Sequence, residues 1–173
     1  MRYFLRPATN DDRLDIERLV FGVLDEHGLK ADPAVTDSDL RDIESGYFAE
    51  GGLFDLLVDE GGKIVGTVGL FRVSDSACEL RKMYLAREVR GCGWGRRLLE
   101  HALRRAAELG FRRVVLETAS VLQSAIALYE RHGFRRYVPD HHSARCDAAY
   151  YLDIQPNSET RRDGIEKDVS GGA

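Results

Sequence analysis

No run of apolar residues in this 173-residue chain approaches the roughly 20 that a membrane-spanning helix needs. The first residues, Met1-Arg2-Tyr3-Phe4-Leu5-Arg6-Pro7, lack the longer apolar core of a secretory signal, so a cytoplasmic protein with no membrane partner is expected. Cysteine is scarce. Cys78, Cys92 and Cys146 form no even set and no C-x-x-C pair, which argues against a disulfide framework and against a cysteine zinc site. Nor is there an excess of positive charge: a net charge of −4 speaks against nucleic acid as the main partner. What remains is an ordinary globular composition, 43% hydrophobic and 31% charged, at a length that can bury a real core in one domain. That domain is expected over residues 1–154. Residues 155–173 carry Pro156, Asn157, Ser158, mixed charges and Gly171-Gly172 without periodicity, and read as a flexible tail.

The arginines are concentrated between Arg81 and Arg113, around the segment Arg90-Gly91-Cys92-Gly93-Trp94-Gly95-Arg96. A strand-like stretch, Cys78 to Leu85, precedes this segment. After it Leu98, Leu99, Ala102, Leu103, Ala106 and Leu109 recur at helical spacing. A strand that feeds a glycine turn into a helix presents amides without intrahelical acceptors, at the positive end of the helix dipole. Arg90, Arg96 and Arg97 add full charges, so a phosphate or pyrophosphate is expected on the N–H groups of residues 91–96. A Walker loop needs Gly-Lys-Ser/Thr, whereas Gly95 is followed by Arg96-Arg97. A Rossmann fingerprint needs a third glycine where this chain has Arg96 or, in the other register, Leu98.

Arg90-x-x-Gly93-x-Gly95 does resemble the pyrophosphate-binding signature of the GNAT superfamily of acetyl-CoA-dependent N-acetyltransferases. It follows the strand Met83-Tyr84-Leu85 and precedes a helix ending Leu128-Tyr129-x-x-x-Gly133-Phe134. The resemblance covers about residues 2–154 and is most specific over 78–134. It implies acetyl-CoA as co-substrate, with its pyrophosphate on Arg90, Gly91, Cys92, Gly93, Trp94, Gly95 and Arg96. Its pantetheine arm would run beside the backbone of Met83, Tyr84 and Leu85. A plain structural glycine turn is the alternative reading of the same residues.

Taken in order, the chain predicts an α/β mixed sheet. Tyr3 to Arg6 is a strand stopped by Pro7. Thr9 or Asn10 caps a helix with Ile16, Leu19, Val20, Val23 and Leu24 on one face, closed at Gly28. Asp37 or Ser38 opens a shorter helical stretch through Leu40, Ile43 and Tyr47, broken by Gly51-Gly52. Two strands, 53–59 and 64–72, flank the hairpin signal Glu60-Gly61-Gly62-Lys63. On the third strand, Leu80 and Leu85 can share a face only if one residue is added between them, which predicts a bulge near Arg81-Lys82. The resemblance implies the same, a strand that bulges there and splays from its parallel neighbour. The glycine-turn helix then runs to Gly110, followed by a strand over 113–118, a helix over 121–132, and a strand pair over 134–138 and 147–154. An exposed strand of that pair would give a homodimer its edge. The order β-α-α-β-β-β-α-β-α-β-β matches the GNAT acyl-CoA N-acyltransferase arrangement.

Acetyl transfer to an amine requires a deprotonated nucleophile, a stabilised carbonyl oxygen and a protonated leaving thiolate. Glu79, just before the expected bulge, is the candidate base; a strand glutamate paired with Arg72 or Lys82 is the competing reading. Tyr129 is the candidate acid, because the resemblance implies a tyrosine hydroxyl directed at the CoA sulfur. Many relatives carry an asparagine seven residues before that tyrosine, where this chain has Leu122, so that contact with the pantetheine arm is lost or moves to Gln123. Glu26, His27, Tyr47 and the 139–146 loop are expected around the acceptor. Asp37, Asp39, Asp42 and Glu44 would suit a cationic amine or form a solvated helix face. His141-His142 with Cys146-Asp147 matches no zinc spacing, so no metal is expected. The expected activity is direct transfer from acetyl-CoA to the primary amine of a small or amino-acid-like molecule. The alternatives are a non-catalytic acyl-CoA sensor and a protein acetyltransferase with an open groove.

Overall fold

A computed structural model describes residues 2–155 of the chain. Seven strands form one sheet in the order β1-β2-β3-β4-β5-β7-β6. They are β1 (Tyr3–Pro7), β2 (Leu53–Asp59), β3 (Ile64–Arg72), β4 (Ala77–Leu85), β5 (Arg113–Thr118), β6 (Arg135–Tyr137) and β7 (Ala148–Asp153). Neighbours pair antiparallel except β4 and β5, which run parallel. That single parallel junction needs a crossover, and α2 (Trp94–Glu108) supplies it. The other helices are α1 (Arg13–Glu26) and α3 (Gln123–Arg131).

Helices cover both faces, which is why β2 is buried along almost its whole length. On one face Leu98, Leu99, Ala102 and Ala106 of α2 pack with Val68, Leu70, Cys78, Leu80, Val114 and Leu116, and Tyr129 of α3 joins them. On the other, Ile16, Val20 and Leu24 of α1 meet Phe54, Leu56 and Val58, together with Leu40, Ile43 and Tyr47. Each fully buried leucine or isoleucine contributes roughly 1.5–3 kcal/mol of apolar burial. The expected amphipathic faces of α1 and α2 are therefore the faces that pack.

The second helical element is not one helix. A 3-10 turn spans Ser38–Leu40 and a π-type turn spans Glu44–Phe48. Side chains take the amide protons that a continuous helix would give to its own carbonyls. Asn10 Oδ1 accepts from Ile43 and Glu44 at 2.9 and 3.3 Å, and Asp42 Oδ1 accepts from Ser45 at 3.0 Å. Leu40, Ile43 and Tyr47 nevertheless reach the core as their spacing predicts. The tail expected over 155–173 lies, beyond Gln155, outside the described residues.

Gly52 joins this segment to β2 at a very close approach, and a Cβ there would stand 2.1 Å from the Leu70 carbonyl oxygen. Gly22, inside α1, has open space where its Cβ would go. Gly52→Ala should therefore lower stability by about 1–3 kcal/mol, while Gly22→Ala raises it by about 0.5–1 kcal/mol. Urea unfolding midpoints of the two variants should move in opposite directions.

Candidate active site

The bulge lies at Lys82. Thr67 of β3 faces Tyr84 and Gly69 faces Arg81, so β4 has one residue more than its partner between these pairs. Lys82 takes φ +51°, the only positive φ outside glycine among the described residues. Its carbonyl accepts the buried Thr67 hydroxyl at 2.6 Å. On its other edge β4 pairs with β5 only over Ala77–Arg113, Cys78–Val114 and Glu79–Val115. Beyond Glu79 the two strands separate. A cleft of about 1160 Å³ opens in the gap, lined by residues 79–85 of β4, Glu117 and Thr118 of β5 with Ala119 after them, the glycine turn, α3, and segments 29–36 and 142–146.

At one end of the cleft stands the glycine turn. Gly91 and Gly93 take φ +73° and +83°, with open space where a side chain would be. Gly93 caps α2, and its carbonyl accepts the first helical bond from Arg97 N–H at 3.1 Å. The amides of Trp94, Gly95 and Arg96 precede that bond and have no intrahelical acceptor. Arg90 is fixed beside them: Nε donates to the Leu85 carbonyl at 2.8 Å and Nη1 to Glu26 at 2.6 Å. Its Nη2 is buried without a partner. Gly91, Gly93, Gly95 and Arg96 line the cleft with it. Cys92 is exposed and the Trp94 ring packs edge-on against Tyr3, and neither residue lines the cleft.

The opposite end is built of charges. The Lys82 ammonium turns inward and sits 3.1 Å from both Asp37 and Asp39. Arg145 grips Asp37 through both carboxylate oxygens, at 2.7 and 2.6 Å. Burial raises the Asp37 pKa, but the bonds from Arg145 and the Asp32 amide and the charges of Lys82 and Arg145 outweigh it, leaving the value at about 2. The Tyr47 hydroxyl donates to Asp39. Asp37 and Asp39 are therefore buried and matched by cations, which corrects the expectation of a solvated acidic face. Tyr47 is fully buried and supports this network instead of lining the cleft. Of the other expected acceptor contacts, His27 lines the cleft, and Glu26 holds Arg90.

Glu79 lines the cleft just before the strands part. Its partner is Arg81, whose Nε and Nη2 both lie on Oε2 at 2.7 and 2.6 Å, so neither Arg72 nor Lys82 fills that role. The Arg81 guanidinium in turn lies over the Phe71 ring, 3.9 Å from its centroid. Tyr129 is buried on α3 with its ring against Phe134, and its hydroxyl makes no hydrogen bond among the described residues. Burial raises its pKa, reinforced by neighbouring Tyr84, so the phenol remains protonated at neutral pH. Met83, Tyr84 and Leu85 line the cleft between the two ends, as do Leu122 and Gln123. His101 lies outside it, bonded at 2.7 Å to Asp55 on β2. Glu117 escaped the sequence analysis, Lys82 entered it only at the bulge and as a possible partner of Glu79, and Arg145 only within the 139–146 loop; no local signal marks the partners that hold them.

A family model described as the acetyltransferase (GNAT) family matches residues 21–134. The chain belongs to the GNAT acetyltransferase family. It is 37% identical over 135 residues to an uncharacterized N-acetyltransferase, YjgM, of Escherichia coli, a match covering 75% of this chain and 80% of that protein. It is 34% identical over 119 residues to the probable N-acetyltransferase camello of Xenopus tropicalis, covering 67% of this chain but only 53% of the relative. The fold matches that of a GNAT acetyltransferase from Staphylococcus aureus with a TM-score of 0.83 at 24% identity, over 89% of this chain and all of that one. It also matches a GNAT phosphinothricin acetyltransferase from Sinorhizobium meliloti, solved in complex with AcCoA, with a TM-score of 0.70 at 22% identity, over 93% of each chain. This GNAT chain is an N-acetyltransferase, and the donor its family uses is acetyl-CoA.

The Asp37 carboxyl titrates lower in the folded chain than its ordinary 3.8, so the stability it contributes is complete above pH 4 and is lost as pH falls toward 2. That contribution is about 2 kcal/mol. Acid unfolding of Asp37→Asn should lack this step. Arg145→Ala, which leaves a buried carboxylate short of a partner, should cost on the order of 3 kcal/mol at pH 7 by urea unfolding.

Proposed function

We propose that this GNAT chain moves the acetyl group of acetyl-CoA directly to the primary amine of a small molecule. The donor fits the residues present. Free first-turn amides, the unpartnered Arg90 Nη2 and the open space over Gly91 and Gly93 suit a pyrophosphate. The exposed edge of β4 at Met83, Tyr84 and Leu85 suits the pantetheine amides, which would add like a strand. Bound there, acetyl-CoA supplies the activated acyl group.

The observation that carries the acceptor class is the Asp37–Arg145 pair. It ties the 30–40 segment to the 139–146 loop, and Arg145 Nη1 also reaches the Lys30 carbonyl at 3.4 Å. Both segments line the acceptor end of the cleft. An extended peptide would have to part them and break a buried ion pair; a small amine would not. Charge favours an ammonium. Asp37 and Asp39 are matched by Lys82 and Arg145, and Glu79 by Arg81, so Asp32 and Glu117 remain as uncompensated carboxylates. Glu79 Oε1 is free of the guanidinium and can receive the ammonium. Tyr129, whose phenol burial keeps protonated, then donates its proton to the departing sulfur.

A panel of small amines and amino-terminal peptides, followed by CoA release, tests this reading. Turnover should be confined to the small amines, and equal turnover of long peptides would refute the acceptor class. On an active amine, Tyr129→Phe should lower kcat about 100-fold and leave the acetyl-CoA Kd within about twofold. Arg90→Ala should weaken acetyl-CoA binding about 10- to 100-fold by calorimetry.

A further inference from the structure

Transfer to an ammonium begins with loss of a proton, and the inference that follows rests on the transferase reading above. Glu79 is already engaged on one oxygen, because the Arg81 guanidinium lies on its Oε2. A second group stands in the same cleft. His142 Nδ1 lies 3.4 Å from Glu117 Oε1. The other oxygen of Glu117 accepts the Ser143 amide at 3.2 Å and the Ser143 hydroxyl. Two consecutive loop residues are thus anchored on one carboxylate of β5, two positions beyond the last β4–β5 pair. The remaining nitrogen, Nε2, has no partner among the described residues, and His142 and Glu117 both line the cleft. An imidazole with a carboxylate on one nitrogen and the other nitrogen unbonded is arranged to accept a proton. The carboxylate fixes which nitrogen carries hydrogen and stabilises the cation that forms. Such contacts are often long in a vacant site and shorten when substrate fills it.

We propose that His142, oriented by Glu117, takes the proton of the acceptor's ammonium, while Glu79 holds that ammonium by charge. The N–H bond breaks, its electron pair stays on nitrogen, and the proton passes to His142 Nε2. The nitrogen pair forms the C–N bond to the thioester carbon, and the C–S pair leaves on sulfur, which takes the Tyr129 proton. The nitrogen's second proton restores the phenol, so one proton leaves in all, from His142 to water at the cleft mouth. The charged and titratable groups that share the cleft with His142 are its neighbour Glu117 of β5, Glu79 and Arg81 of β4, and Arg145 and Cys146 of its own loop, with Tyr137 of β6 near Glu117. Glu79 and Glu117 both act on the Cys146 thiol and on the Tyr137 phenol, which places the two carboxylates around a common space.

The test is the pH profile of kcat/KM on an amine that the wild type acetylates. His142→Gln should lose the rising limb and fall about 100-fold, with its acetyl-CoA Kd unchanged as evidence of an intact fold. Added imidazole should restore part of the activity of His142→Ala. Glu117→Gln, which removes the carboxylate that orients the imidazole, should lower kcat about 10-fold with the acetyl-CoA Kd unchanged, a split that a purely structural glutamate would not produce. Glu79→Gln should slow turnover and keep the limb. A limb that persists in His142→Gln overturns the dyad and leaves the transferase reading standing, whereas a wild type that binds acetyl-CoA but releases CoA to no amine overturns both.

Discussion

Leu80 and Leu85 both pack into the α2-side core although an odd number of positions separates them, and one extra residue, Lys82, makes this possible. A lysine at positive φ costs about 1–2 kcal/mol. The structure offsets that cost locally. The Thr67 hydroxyl satisfies the Lys82 carbonyl inside the sheet, and two aspartates hold the ammonium. The consequence is geometric. With its register broken on the β3 side, β4 also leaves β5 beyond Glu79, and a mixed sheet that would otherwise be continuous acquires a slot. The glycine turn, residues 83–85 of β4, Glu79 and Tyr129 all line that slot.

The charges around Lys82 are better understood as placement than as stability. Burying an ion pair costs nearly what the attraction returns, and apolar residues of the same volume would do as well or better for stability alone. What the ions provide is a link between parts of the chain that share no backbone pairing. Asp37 reaches Arg145 across 108 residues, and Lys82 joins that pair to the bulge. Tyr47 closes the set from beneath: burial and the adjacent Asp39 keep its phenol protonated, so it can only donate to that carboxylate. Segments 30–40 and 139–146 are thus tied to β4 at its bulge.

The legible parts of this architecture are the local ones. The glycine turn, the faces of α1 and α2, the Gly61-Gly62 hairpin and the bulge are each decided by residues within a few positions of one another. Even the parity argument for the bulge needs only Leu80 and Leu85. Parity also contains the Glu79–Arg81 pair, since residues two apart before a bulge share a face, although Arg72 and Lys82 were the partners considered. The broken second helix was not legible, because Asn10, more than thirty positions earlier, takes its amide protons. Asp37–Arg145 and Glu117–His142 were hidden for the same reason. Each requires knowing which loop lies over which strand, and no periodicity encodes that. The sequence pattern therefore describes the donor end of the cleft well and the acceptor end poorly.

That asymmetry has a chemical basis. The donor end is made largely of backbone: first-turn amides, a strand edge, and glycines whose side-chain space is empty. Cys92 is exposed and Trp94 packs against Tyr3, so neither side chain contributes to the lining of the cleft. The acceptor end is made of side chains from segments 30–40, 117 and 139–146, where a single substitution changes charge or shape. A fold divided in this way can keep one donor while its acceptor changes, because the two requirements fall on different atoms. For this chain the deciding features are the uncompensated carboxylates Asp32 and Glu117, the tied loops, and an imidazole between them. On the reading proposed above, these are the features that an arriving acceptor would meet.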